Sequence, residues 1–237
     1  MNAWETWRQT LRRARRSMCE AAGVARYSRP ALHGIDRRLE QHLNFDGGFF
    51  VEAGANDGYD QSNTYYFEKL RGWSGLLIEP VPALAAECRR NRRGPVIEAA
   101  LVAAARPGET VELHFAGLMS TVAGALPDAA ATARHVAQGL EVQALPATYR
   151  LRVPARTLSS ILEEQNVSRA IDLLSLDVEG AETLALAGLD WARHAPRFIC
   201  VETRDRPAIE ALLLPRYRLL ETLTELGSHQ DLLYALG

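Results

Sequence analysis

Lysine is almost absent: Lys69 is the single one among 27 basic residues, so nearly all positive charge is guanidinium. Codon bias explains that as well as anion recognition does. Cysteine is also scarce. Cys19, Cys88 and Cys200 stand alone, with neither metal-ligand nor redox-pair spacing, which argues against a disulfide scaffold or a zinc site and makes a cytoplasmic location the simplest expectation. No run of about 18 apolar residues occurs, so no membrane-spanning helix is expected. Arg8, Arg12, Arg13, Arg15 and Arg16 interrupt the first stretch, and no secretory leader is expected. A content of 47% hydrophobic and 24% charged residues excludes a disordered or collagen-like chain.

What is present begins with an uneven charge. Residues 1–38 carry nine arginines against Glu5, Glu20 and Asp36, a local net of +6, which leaves −8 for the rest of a chain at −2. That balance argues against nucleic acid as a partner of the whole domain. At 237 residues, burial of about 70–75% of the unfolded surface suffices for a core without disulfide or metal. Residues 2–22 have helical spacing, with Trp4, Trp7, Leu11, Met18 and Ala22 on one stripe and arginines opposite. Pro30 ends that segment, a short helix follows at 34–43, and 1–46 reads as an arginine-rich helical extension. From 47 onward short apolar strands (49–53, 75–79, 96–101, 171–177, 198–202) alternate with helices (62–71, from Pro82, 157–166 capped by Thr157, 180–188, 207–213). Two last strands, 217–222 and 232–236, are close enough to pair antiparallel. The pattern predicts an α/β, doubly wound, mostly parallel sheet. The stretch 105–153 breaks the rhythm and reads as an insertion or lid, with a helix over 123–137.

Two loops carry the chemistry. Glu52-Ala53-Gly54-Ala55-Asn56-Asp57-Gly58 follows the first strand, at the carboxyl edge where open sheets bind ligands. Gly54 and Gly58 admit close backbone approach. The pattern lacks the dinucleotide glycine fingerprint, and Glu52 would repel a pyrophosphate. It suits a cationic ligand carrying an amine and a sulfonium, S-adenosylmethionine. Glu79 lies 25 residues after Gly54, near the roughly 20-residue offset of a ribose-binding acid. Ser62, Asn63 and Thr64 offer donors to a carboxylate, and the adenine is expected near Glu98, Ala99 and Ala100. The bland alternative is that glycine turns and strand-end acids are common to all α/β proteins.

The second loop ends a strand in Ser175-Leu176-Asp177-Val178-Glu179-Gly180-Ala181-Glu182, and Glu202 closes the adjacent strand. Such crowding raises at least one carboxyl pKa and suits a general base or a divalent metal. Asp177 and Glu202 are the candidate metal ligands, and an oxygen-only set favours Mg²⁺ or Ca²⁺ over zinc. Glu182 has a simpler reading, as an acid stabilising a helix N-terminus.

These motifs, with Phe50 to Gly58, Ser62-Asn63-Thr64, Gly72-Trp73-Ser74-Gly75 and Leu77-Ile78-Glu79-Pro80 in order, resemble the FkbM family of methyltransferases over the chain from about residue 34. The resemblance implies a seven-stranded Rossmann-like sheet with the last strand antiparallel, and an S-adenosylmethionine-dependent O-methyltransferase acting on sugar, glycan or natural-product hydroxyls. It implies Glu52, Gly54, Asn56, Asp57, Gly58, Asn63, Glu79, Ala99 and Asp177 at the cofactor. Many members carry Lys where Ser175 stands.

A hydroxyl acceptor needs partial proton removal, which contributes about 10²–10⁴-fold. Asp177 or Glu202 is the expected base, or both hold Mg²⁺; His229 is the next candidate, with His114 and His135 behind it. Met119-Ser120-Thr121 is expected to border the cofactor or acceptor. Two other classes stay open: a non-catalytic binding module on the same fold and a nicotinamide-dependent oxidoreductase. The first helix reads as a cap or homodimer contact with solvated arginines, as a peripheral membrane anchor, or as a reader of an anionic acceptor. The Arg89–Arg93 run reads as a solvated helix end.

Overall fold

The computed structural model describes residues 3–237. The first helix, α1, spans Ala3–Ala21, so the expected start at residue 2 lies outside the described residues; α2 spans Ile35–His42. Next come β1 (Phe49–Ala53), α3 (Tyr65–Leu70), β2 (Ser74–Ile78), α4 (Pro82–Asn91) and β3 (Val96–Ile97). A second group follows: β4 (Ala100–Leu101), β5 (Thr110–His114), β6 (Thr121–Val122), α5 (Ala129–Val142) and β7 (Arg150–Arg156). The chain then returns through α6 (Leu158–Glu164), β8 (Leu173–Leu176), α7 (Glu182–Ala187), α8 (Trp191–His194), β9 (Phe198–Thr203), α9 (Arg206–Leu213), β10 (Tyr217–Leu226) and β11 (His229–Leu236).

Seven strands form the main sheet in the order β10-β11-β9-β8-β1-β2-β3. Neighbours from β9 to β3 run parallel, and β11 is antiparallel to both β9 and β10. Alternation along each strand feeds two cores. Val51, Ala53, Leu76, Ile78, Leu174 and Val201 point to one face, under α6, α7 and α9. Phe50, Leu77, Leu173 and Cys200 point to the other, under α2, α3 and α4. Full burial of each large apolar side chain stabilises by about 1.5–3 kcal/mol, well above the 0–1 kcal/mol or so of a surface ion pair. Coverage of both faces is why the inner strands read as apolar runs.

Several elements differ from the sequence expectation; the last two strands run longer than 217–222 and 232–236, and α8 was not expected. The third strand is two: Val96–Ile97 pairs with β2, whereas Ala100–Leu101 pairs with β7 in a separate four-stranded sheet, β4-β7-β5-β6. The chain leaves the main sheet at Glu98–Ala99. The stretch 105–153 thus contains two strands and a helix of its own, and the start of β7. Its helix begins at Ala129, not 123, because the Asp128 carboxylate caps it by accepting from Ala131 N. The arginines of α1 are not all solvated. Arg13 pairs with Glu87 at 2.6 Å. Arg16 donates to Asn91 Oδ1 at 3.0 Å and lies 3.7 Å over the Tyr59 ring. Glu20 accepts from Ser28 and Tyr65, both at 2.9 Å.

The parallel order reverses direction between β1 and β8, the switch point at which open sheets form a crevice. Asp177 N donates to Ala53 O at 3.1 Å there, drawing the two loops together. Gly54 has φ +81°, and a Cβ on it would lie 1.6 Å from Asp177 O. Only glycine fits. Gly54→Ala should therefore cost about 1–3 kcal/mol from overpacking, with the left-handed backbone adding to it. Urea unfolding measures the loss; an unchanged midpoint would contradict this close approach.

Candidate active site

A cleft of about 990 Å³, counting its open mouth, sits at this switch point. The first loop, Glu79, Ala99, the second loop and Glu202 line it, and Leu113 and Val122 of the small sheet, with Leu118 of the turn between their strands, add an apolar wall. Three residues other than glycine with left-handed backbone, Asn56 (φ 48°), Gln61 (φ 62°) and Glu179 (φ 52°), border it. Such strain concentrates where structure around it holds the backbone for a purpose.

Under the first loop lies a buried charge network. Glu52 accepts from Ser62 Oγ at 2.9 Å, Asn63 N at 3.0 Å and Thr64 Oγ1 at 2.7 Å. The donors expected to bind a cofactor carboxylate are thus taken by the protein's own. Arg92, its side chain fully buried, donates to Glu52 at 2.8 Å and to Glu68 at 2.7 Å. It also reaches Thr64 Oγ1 at 2.7 Å and Gly58 O at 3.3 Å. Burial would raise the Glu68 carboxyl, but the Arg92 charge outweighs it and Glu68 sits below its ordinary value. The reading of Arg89–Arg93 as a solvated end fails at Arg92 because two buried acids require a counter-charge. Gly58 serves this network too: a Cβ there would lie 2.7 Å from Arg92 Cγ and Cys88 Sγ. Asp57 accepts from Tyr59 N and Asp60 N at 2.7 and 2.8 Å, shaping the turn. Neither Asp57 nor Gly58 lines the cleft, in contrast to the expectation for both.

Glu79 is held by backbone donors, Asn56 N and Val81 N, each at 2.8 Å. Burial still pushes its carboxyl up to about 7, the two donors opposing. Ala99 borders the cleft from the end of β3, and Asn63 donates to Ser175 Oγ at 3.2 Å.

Across the cleft, Asp177, Glu179 and Glu202 each present a carboxylate oxygen within 4.8 Å of the others. Burial, then Glu202 and Glu182, pushes the Asp177 carboxyl well up, and its Oδ1 is buried without a hydrogen-bond partner. Glu179 is pushed up to about 8 by burial and Asp177, and Glu202 to about 8 by burial, Glu179 and Asp231. Arg204 is the counter-cation, 3.0 Å from Glu179 and 4.0 Å from Glu202. Glu182 takes its simpler role, accepting from Gly180 N at 2.9 Å at the start of α7.

The histidines separate. His135 of α5 places Nε2 3.4 Å from Glu179, buried and without a hydrogen-bond partner. Burial and Arg204 push it down to about 4, so it is neutral. His229 lies in a neighbouring groove, 4.0 Å from Glu202, and His114 faces Glu112 at 3.6 Å in the groove beside α5; neither lines the cleft. Of Met119-Ser120-Thr121, Ser120 borders the cleft, and Thr121 Oγ1 donates to Glu179 O at 2.7 Å. Sequence reading ranked His135 no higher than His114 because only α5 packing distinguishes them. Arg92 was missed outright, though a buried strand-end acid such as Glu52 implied a partner.

Arg92→Met removes the counter-charge of two buried carboxylates and should cost about 3–5 kcal/mol in denaturant unfolding near neutral pH. A cost below about 1 kcal/mol, the level of an exposed pair, would show that the network contributes little.

Comparison with known proteins gives the family. Residues 52–231 match the family model described as the methyltransferase FkbM domain. Among curated proteins none matches. Solved structures similar to the chain include a TehB-like SAM-dependent methyltransferase from Corynebacterium glutamicum, 14% identical with TM-score 0.43, covering 98% of this chain and 97% of that one. A human methyltransferase 10 domain-containing protein is 9% identical with TM-score 0.46, covering 85% and 81%. A precorrin-6y C5,15-methyltransferase from Geobacter metallireducens is 10% identical with TM-score 0.42, covering 85% and 88%. With three quarters of its length matched by that model, and strand order and cleft in accord, the chain belongs to the FkbM family of S-adenosylmethionine-dependent methyltransferases.

Proposed function

We propose that the protein methylates a hydroxyl oxygen of a sugar, glycan or natural-product acceptor. The observation that carries this reading is the acidic rim of Asp177, Glu179 and Glu202, crowded around the single guanidinium of Arg204. When bound, S-adenosylmethionine supplies an electrophilic methyl group on a sulfonium. The residues fit it. A buried acid with an unpartnered oxygen, Asp177, favours a cationic ligand, and Gly54 leaves its backbone accessible at the cleft. Glu52, Asn56, Asn63, Glu79 and Ala99 would surround the remainder, with Glu52 acting through the loop it holds.

The protein's own part in the chemistry is positional and protolytic. Positioning of reactants contributes about 7–11 kcal/mol in well-oriented cases. Glu202, pushed up to about 8, is matched to accept a hydroxyl proton near neutral pH. Asp177, buried deeper, carries the carboxyl oxygen left without a hydrogen-bond partner. Mg²⁺ is a second reading, favoured by the mutual 4.8 Å reach of the three carboxylates; there Asp177 and Glu202, joined by Glu179, would be the ligands and would supply a Lewis acid to the hydroxyl.

Calorimetry with S-adenosylmethionine, S-adenosylhomocysteine and NAD⁺ tests the class: the first two should bind and NAD⁺ should not. Binding without methyl transfer into any extract fraction would favour a binding module. The rim adds a pH signature. Because Glu179 and Glu202 sit near 8 when folded and near 4.5 unfolded, ionising them between those values lowers the stability of the empty protein as pH rises. The sulfonium of the donor gains from that ionisation, and the neutral thioether product does not. The ratio of donor to product affinity should rise by roughly tenfold from about pH 6 to about pH 9. A flat ratio would remove the acidic rim from donor recognition.

Glu202→Gln should lower kcat by about 10²–10⁴-fold with donor affinity changed much less. Single-turnover methyl transfer measures this. Near wild-type turnover for Glu202→Gln and Asp177→Asn would end the base assignment, and activity insensitive to exhaustive chelation would end the metal reading.

A further inference from the structure

The apolar stripe of α1 faces the opposite way from an ordinary surface helix. Its polar side meets the body through Arg13, Arg16 and Glu20. Trp4, Trp7, Leu11 and Met18 are left 61%, 55%, 48% and 73% exposed, and the Trp4 and Trp7 rings stack at 5.4 Å. A contiguous apolar surface of this kind on a folded protein marks a contact site. Among the described residues no helix is long and apolar enough to cross a membrane.

The flanks of the stripe decide among occupants. Arg8, Arg12 and Arg15 are exposed and, among the described residues, form no ion pair. Their contacts in the structure are aromatic: Arg8 lies 6.0 Å from the Trp4 ring and Arg15 4.3 Å from the Tyr27 ring. The 3-4-3-4 spacing of residues 4, 7, 11, 14 and 18 would permit a helix pair with a second copy. Two such helices would bring their flanking arginines together, and like charges there oppose pairing. An anionic bilayer answers both features. Trp and Leu suit the boundary between headgroups and acyl chains, and basic residues beside them meet lipid phosphates. Guanidinium, nearly the only cation in this sequence, binds phosphate oxygens in a bidentate fork. The local net charge of +6 over residues 1–38 adds attraction that the remainder of the chain, at −8, would otherwise oppose.

We propose that α1 is a peripheral anchor: the Trp4–Trp7–Leu11–Met18 stripe inserts shallowly into an anionic lipid surface, with Arg8, Arg12 and Arg15 on the phosphates and Arg13, Arg16 and Glu20 tying the helix to the catalytic domain.

The full chain is mixed with vesicles of equimolar phosphatidylglycerol and phosphatidylcholine, or of phosphatidylcholine alone, and sedimented. Partition into the anionic vesicles should be at least tenfold stronger. Trp4→Ser/Trp7→Ser/Leu11→Ser should lose it by at least tenfold with an unchanged thermal melt. Tryptophan quenching by brominated acyl chains in the unaltered protein gives a readout independent of whether that variant folds. No partition, or no quenching, overturns the proposal. Equal partition of the triple variant does too, because the arginines alone would then suffice. So does a dimer in light scattering that the triple variant dissolves, since a second copy would then occupy the stripe.

Discussion

A guanidinium sealed inside the protein organises the first half of the cleft. The Arg92 side chain has no solvent contact and meets two carboxylates, two hydroxyls and a backbone carbonyl. Removing so much charge from water costs several kcal/mol per ion unless every group finds a partner, and here the partners are loop residues. Glu52 anchors the end of β1, Glu68 belongs to α3, Gly58 to the turn, and Arg92 itself follows α4. The ion cluster therefore couples three elements and a loop whose geometry would otherwise depend on weak turn preferences. It also removes Glu52 from the ligand's electrostatics. An acid in front of a binding loop suggests direct attraction for a cation, but the Glu52 charge is already balanced.

The attraction has to come from the other side. Asp177, Glu179 and Glu202 share one partial counter-cation, Arg204, and their carboxyl values rise in response. Burial is the first cause for each, and mutual repulsion the next. Such a rim stores unfavourable free energy that a bound positive charge relieves. Like-charge crowding of this kind is a poor way to stabilise a fold, and it is placed where the sheet changes winding direction and where Gly54 and Asp177 come together. The location and the strain point to the same use.

How far this was legible in sequence follows from the range of each interaction. The apolar runs 49–53, 75–79 and 198–202 specified inner strands because both of their faces are covered, and the antiparallel last pair followed from its short connection. Capping at Thr157 could be read from a single residue. The division of 96–101 could not, since nothing local distinguishes residues that pair with β2 from those that pair with β7. The first loop's place at the cleft was legible by composition, with Glu79, Gly54 and Asn56 lining it, but its internal ties were not. Asp57 shapes the turn and Gly58 serves the Arg92 network, contacts that close only in three dimensions. Arg92 carries the same letter as its exposed neighbours Arg89 and Arg90.

The inserted unit, which broke the sequence rhythm, lines part of the cleft. Its small sheet supplies the apolar wall of Leu113 and Val122, Thr121 bonds the backbone of Glu179, and Leu126 packs where a side chain on Gly180 would collide, 2.6 Å away. His135 reaches the same acid from α5. The loop holding Asp177 and Glu179 is thus shaped partly by the main sheet and partly by the insertion. β1, β2 and the Arg92 cluster set the first loop, and contacts from 105–153 help to set the second. Two structural units, the main sheet and the inserted unit, thus meet at one cleft.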